Sequence, residues 1–111
     1  MIFEIRNYHY EPTLMPAYKE WAQQRALPYL REHLDLVGFW VNLDEPVQVD
    51  GKPLDELSSA TVTWILRWDD LAVRNAAMDK LMDAPEWQAI MKTNPGLENY
   101  HRTEVKFAEE L

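Results

Sequence analysis

Arg6, Tyr8 and Tyr10 stand at alternate positions of the stretch IFEIRNYHY, with Glu4 one step ahead of them. Alternate residues of an extended chain share a face. A carboxylate, a guanidinium and two phenols would therefore line one side of a strand. A guanidinium held away from water can grip a carboxylate or enolate through its fork of N–H donors. It can equally be neutralised by Glu4 or Glu104, because buried charges are normally paired within the protein. Tyr8 and Tyr10, together with Trp40, Trp64 and Trp68, could stack on a flat ligand, and the same residues also suit an interface core. Asn42 shares parity with Trp40 and joins this set. His9 and His101 end the first and begin the last strand-like stretch. They could act as an acid/base or metal pair, or serve as ordinary hydrogen-bonded residues at a sheet margin. His33 falls near a helix C-terminus, where its cation is favoured, and reads as structural. There is no zinc spacing, P-loop, dinucleotide fingerprint or nucleophile elbow, and no cysteine. No metal and no cofactor are expected.

The elements that would position these residues follow from hydrophobic period. Ala60–Leu71, ATVTWILRWDDL, is the clearest: Val62, Trp64, Leu66 and Trp68 alternate with Thr61, Thr63, Ile65 and Arg67. The window is rich in β-branched and aromatic residues. Asp69 and Asp70 then end the strand and can cap a helix. Ile2–Tyr10 is the first strand. Glu11-Pro12-Thr13 ends it, with Thr13 as the expected cap. A helix follows from Leu14 to about Leu34 on the stripe Leu14, Tyr18, Trp21, Ala22, Arg25, Tyr29 and Leu30, with a kink or break expected at Pro28. Leu36–Leu43 reads as the second strand, with Val37, Phe39 and Val41 on one face and Gly38, Trp40 and Asn42 on the other. Residues 44–59 form a long connection. Val47-Gln48-Val49 before Asp50-Gly51 suggests a protruding hairpin arm there. After the third strand, a helix over Leu71–Met82 uses Leu71, Met78 and Met82. A second piece opens at Asp83, with Glu86 as a capping-box partner, and ends at Asn94-Pro95-Gly96. Glu98–Phe107 closes as a fourth strand.

The order β-α-β-β-α-β points to one domain over residues 1–111 of the α+β class. The expected fold is a ferredoxin-like plait with an antiparallel sheet in the order 4-1-3-2 and helices on one face. The expected bare face carries Glu4, Arg6, Tyr8, Tyr10, Gly38, Trp40 and Asn42, joined by Trp64 and Trp68. So many indoles do not stay wet as one patch, so a second copy is expected to pack over them. Which face of strand 60–68 lines the resulting pocket is open at this point, because Thr63 and Arg67 compete with the tryptophans for it.

Composition narrows the partners. Eleven basic against 19 acidic residues leave a formal charge of −8, and an acidic surface repels phosphate backbones, so nucleic acid is not an expected partner. No apolar run approaches the roughly 20 residues that a membrane helix needs. The absence of cysteine and of an export-type leader fits a cytoplasmic protein. Five Trp and five Tyr suit cores, interfaces and pockets alike.

Four motifs in order carry a family resemblance. MIFEIRNYHYEP resembles the opening of NIPSNAP-domain proteins, of the type M-I-Y-E-I/L-R-x-Y. GFW at Gly38–Trp40 resembles that family's second strand, LRWDDL at Leu66–Leu71 its W-R-Y-D-S-L, and DAPEWQ at Asp83–Gln88 its A-D-P-E-W-Q. The resemblance implies a half-barrel that dimerises into an α+β barrel, with relatives among cofactor-free monooxygenases. It implies no particular reaction. Two departures stand out: Trp64 replaces a His common in the family, and the connection at 44–59 is longer than usual. Three readings follow. The first is a homodimer that binds a small, flat or aromatic ligand between sheet and partner, through Arg6, Tyr8, Tyr10, Trp40, Asn42, Trp64 and Trp68. The second is a cofactor-free monooxygenase or isomerase on an aromatic or polyketide-like substrate. The third is a purely structural dimer with a filled interior.

Overall fold

The computed structural model describes residues 1–52, 57 and 59–111. The strands are β1 (Ile2–Tyr10), β2 (Leu36–Val41), β3 (Val62–Trp68) and β4 (Tyr100–Glu109). They form one antiparallel sheet in the order β2-β3-β1-β4, as the plait requires. The helices α1 (Met15–Trp21), α2 (Leu27–His33), α3 (Leu71–Asp83) and α4 (Pro85–Met91) are packed against it. Val47 and Val49 are exposed and lie outside any strand, so the first arm of the expected hairpin is not formed. Most of its return, residues 53–56 and 58, lies outside the described residues. No described helix is long and apolar enough to cross a membrane.

On β1 the face expected from polarity is inverted, and on β3, whose face the sequence leaves open, the tryptophans take the helix side. Glu4, Tyr8, Tyr10, Val62, Trp64, Leu66 and Trp68 are all buried in contact with the helix layer, and Arg6 shares their parity. Bulk decides this. The helices offer the only cover within one chain, and the Tyr and Trp side chains have the most apolar area to remove from water. Period two then carries Glu4 and Arg6 in with them. The bare face instead holds Phe3, Ile5, Asn7, Thr63, Ile65 and Arg67, with Lys106 beside Ile5. Trp40 joins them on β2, opposite Thr63 and 51% exposed. Its indole lies over Gly38, where any Cβ would run into the ring. A register shift between Leu36 and Gly38 sets Val37 apart, exposed, so that Leu36, Phe39 and Val41 turn together toward the core.

The first helix is neither kinked apart nor regular. Ala22–Ala26 form a π-turn, closed by the Leu27 N–H bonding to the Ala22 carbonyl. Pro28 lacks a donor, and its ring crowds the carbonyl four residues back; the widened turn lies where that crowding would fall. The extra residue moves the buried stripe one place along. Ala26 and Leu30 are buried, while Arg25, expected inward, is exposed. Three capping details also differ. Glu11, not Thr13, caps the chain's turn at Pro12–Leu14, accepting from both the N–H and the hydroxyl of Thr13. These bonds, with His101 nearby, hold the Glu11 carboxyl down at about 2. Asp83 ends α3 instead of opening α4. Pro85 keeps Ala84 extended, and α4 starts on Pro85 with no side-chain cap.

Asp70 does cap α3, accepting from the Val73 N–H at 2.8 Å. Asp70→Ala is expected to lower stability by about 1 kcal/mol, read from urea midpoints, with the fold unchanged by circular dichroism.

Candidate functional site

Glu4 is fully buried, and its carboxylate is the centre of a polar cluster under the helices. It accepts from Arg6 Nη1 at 2.6 Å, Arg74 Nε at 2.8 Å, Arg74 Nη2 at 3.0 Å and Trp68 Nε1 at 3.0 Å. Burial alone would push this acid's pKa up. The Arg74 bond, the charges of Arg6 and Arg74 and the Trp68 bond outweigh that and hold it below the ordinary 4.5. The same bond raises the pKa of Arg74. Two guanidinium groups share this one carboxylate, and Asp79 adds a second negative charge on the Arg74 side. Arg74 comes from α3, on the stripe Arg74, Met78, Leu81, and also lies over the Phe107 ring at 5.0 Å. The expected stripe of Leu71, Met78 and Met82 is rotated, leaving Leu71 and Met82 exposed. A lone arginine four and seven residues before buried Met78 and Leu81 is the signal that could have found it.

Arg6 carries its charge to the neighbouring wall. Its Nε donates to the Tyr8 hydroxyl oxygen at 2.6 Å, and its guanidinium sits 5.0 Å from the Trp64 ring centroid. Among the described residues it makes no further hydrogen bond. Burial raises the Tyr8 pKa against the opposing effect of Arg6, so Tyr8 is a neutral phenol at neutral pH. The Tyr8 O–H finds no acceptor among the described residues. The Trp64 N–H favours the Tyr8 anion from nearby but does not reach hydrogen-bonding geometry, and it is left without a partner.

These three residues line a cavity of about 210 Å³ between the sheet and the helices of a single chain. Phe39, Tyr100 and Thr103 complete its sheet side. Tyr18 and Trp21 of α1, Ala26 of the π-turn, Leu30 of α2, Met78, Leu81 and Met82 of α3, and Trp87 and Met91 of α4 form the other side. Trp21 fixes α1 to α4 through bonds from its Nε1 to the Ile90 carbonyl and the Thr93 hydroxyl, both 3.1 Å. Tyr100 stands edge-on to Tyr8 at 5.5 Å, and burial pushes its phenol up to about 12. The wall is apolar apart from Arg6, the phenols and Thr103. The exposed Met82 and Thr103 mark its open side.

Of the seven residues expected to form one pocket wall, Arg6, Tyr8 and Trp64 come together on this cavity. Trp68 is buried behind it, holding Glu4. Tyr10 is fully buried and donates to the Gly96 carbonyl at 3.0 Å. Trp40 lies on the bare face. Asn42 lies beyond β2, bonded to the Ala60 carbonyl. The cavity on which three of the seven meet therefore lies between the sheet and the helices of one chain. His9 and His101 approach to 5.9 Å between ring centroids, and His101 faces Glu11 at 3.3 Å. No group of three or more His, Asp and Glu among the described residues could hold a metal ion. His33 stacks on Tyr29 at 4.2 Å.

No family model and no curated protein matches the chain. Solved structures do. A NIPSNAP domain protein from Burkholderia xenovorans superposes with a TM-score of 0.75 at 20% identity, over 100% of this chain and 95% of its own. A NIPSNAP family protein from Agrobacterium tumefaciens gives 0.76 at 17%, over 99% and 85%. An antibiotic biosynthesis monooxygenase gives 0.58 at 12%, over 100% and 99%. The fold is thus that of the NIPSNAP-domain structures, in keeping with the sequence motifs.

The Glu4 cluster predicts an acid-dependent stability. A carboxyl whose folded pKa lies below its unfolded value stabilises fully above the unfolded value and loses that contribution as pH falls through the folded one. Stability should therefore decline as pH drops below about 4.5. Glu4→Gln should cost about 3 kcal/mol at pH 7, because two buried guanidinium groups lose their anion. It should also flatten the decline below pH 4.5. Urea unfolding at pH 7, 5, 4 and 3 measures both.

Proposed function

We propose that this protein of NIPSNAP-domain fold is a homodimer in which each subunit binds one small, flat, largely apolar molecule in its own cavity. The observation that carries the reading is the cavity itself: apolar and aromatic on nearly every side, yet bordered by the charged Arg6 and the neutral Tyr8 hydroxyl. Ligand sites are typically apolar hollows with a few placed polar groups. At about 210 Å³ this one suits a ligand of a single ring. Dimerisation rests on different residues from the cavity. Phe3, Ile5, Ile65 and Trp40 on the uncovered sheet face form an apolar strip between Arg67 and Lys106, and a second copy packed sheet to sheet would bury it.

A second reading, a cofactor-free monooxygenase or isomerase on an aromatic substrate, is favoured by one observation. The chain superposes over its whole length on an antibiotic biosynthesis monooxygenase. On that reading the protein orients the substrate, and Arg6 with Tyr8 stabilises its anion.

Three measurements test these readings. Saturating toluene should raise the melting temperature of the wild type. It should not raise that of Ala26→Leu, which places a larger side chain on the cavity wall; no shift in the wild type would sink the cavity reading. Light scattering should report twice the 13.1 kDa chain mass, and the monomer for Ile5→Lys with Ile65→Glu. A wild-type particle of single-chain mass at micromolar concentration would remove the dimer. Oxygen uptake with a panel of aromatic hydroquinones, reduced in Arg6→Ala and Tyr8→Phe, would support the oxygenase; no uptake removes it.

A further inference from the structure

We propose that the cavity's ligand is the anion of a small single-ring acid, its oxygen received by Arg6, Tyr8 and Trp64 and its ring by the apolar wall. This rests on the reading of the cavity as a ligand site and adds the chemistry that site selects.

The selection comes from counting donors and acceptors. Trp64 lines the cavity, and its indole N–H, closed off from water near the Tyr8 oxygen, is out of hydrogen-bonding geometry and left unmet. Leaving a buried donor unmet costs roughly 1–3 kcal/mol, and most buried polar groups are satisfied. The Tyr8 oxygen accepts from Arg6, and its O–H meets no acceptor among the described residues. Arg6 has spent Nε and one Nη1 proton, and a guanidinium carries five N–H donors and no acceptor. Three adjacent side chains thus carry N–H or O–H groups that no hydrogen bond among the described residues satisfies. A group that only accepts fits this patch; a group that must also donate fits it less well.

Charge points the same way. Glu4 is consumed by four hydrogen bonds from Arg6, Arg74 and Trp68, so it is not free to meet the remaining donors of Arg6. Arg6, bonded to Glu4 through Nη1 alone, is the cation on the wall of this low-dielectric cavity, where a charge without a close partner is costly. A ligand anion would pair with it. Size sets the rest of the molecule. An apolar cavity of about 150 Å³ is enough for benzene, so about 210 Å³ admits a ring with a small oxygenated head. The ring would lie among Phe39, Leu30, Met78 and Trp87.

The test uses the full chain, labelled with ¹⁵N, and three probes of one size: benzoate, benzyl alcohol and toluene at pH 7. Five indole N–H signals are expected, one per Trp, and the Trp64 signal is assigned as the one missing in Trp64→Phe. Benzoate is expected to bind saturably and move the Trp64 signal downfield. Benzyl alcohol is expected to bind about tenfold more weakly or worse, the factor that a charge-assisted hydrogen bond is worth. Tyr8→Phe, which keeps the ring, and Trp64→Phe should each weaken benzoate several-fold relative to toluene, whose binding reports any change in the apolar wall itself. If toluene and benzyl alcohol bind as tightly as benzoate, with the Trp64 signal unmoved, the anion inference is overturned and the cavity reading stands. If benzoate binds best but neither variant weakens it, the assignment to these residues is overturned. If none of the three binds, both readings fall.

Discussion

The buried ion cluster at Glu4 is the constraint from which the arrangement of this molecule follows. A carboxylate fully withdrawn from water is tolerable only with strong partners, and two of its three partners come from distant parts of the chain. Arg6 is two residues along β1, Trp68 is at the end of the neighbouring β3, and Arg74 is on the helix that β3 leads into. One side chain therefore ties the first strand to the third and to α3. Asp70, between Trp68 and Arg74, caps α3 as it leaves the sheet. The short turn thereby sets where Arg74 enters. Arg6 is held by Glu4 on one side and Tyr8 on the other, and that pose puts its cation against Trp64. The polar side of the cavity is a by-product of keeping an acid in the core.

Much of this was readable from residue order, and the part that was not has a common cause. Alternation at Ile2–Tyr10 and Ala60–Trp68, the helix start at Asp70 and the β-α-β-β-α-β order are properties of neighbouring residues, and the plait follows from them. The choice of face is not local. Glu4 and Arg6 look like surface residues until Arg74, some 70 positions later, is known to meet them. Without that partner, polarity argues for the bare face, and the helix-covered face receives Phe3 and Ile5. The tryptophans of β3 carried the correct vote, since indole bulk outweighs one compensated ion cluster. The π-turn is hidden for a similar reason. Pro28 announces trouble in the helix, but a one-residue widening and a break look alike in the letters. Only the exchange of Arg25 for Ala26 on the buried stripe tells them apart.

The inverted face also changes what a dimer would mean for a ligand. In the arrangement expected from the sequence, the ligand lies between two sheets, and the site cannot exist without the second copy. With the aromatic wall turned inward, the cavity is lined by one chain's own strands and helices, and the proposed contact surface is on the reverse of the same sheet. The two are separated by a single layer of backbone. Ile65 follows Trp64 in β3, and Ile5 precedes Arg6 in β1, with Arg6 and Trp64 paired across the strands. A side chain on one face cannot tilt without disturbing the pleat that carries its neighbour on the other. Sheet packing on the reverse would therefore stiffen the strands that hold Arg6 and Trp64 while contributing no atom to the cavity. Coupling between dimerisation and ligand binding, if measured, would have to pass through those two strand segments. It would act on the geometry of the Arg6–Tyr8 pair, leaving the apolar walls supplied by the helices as they are.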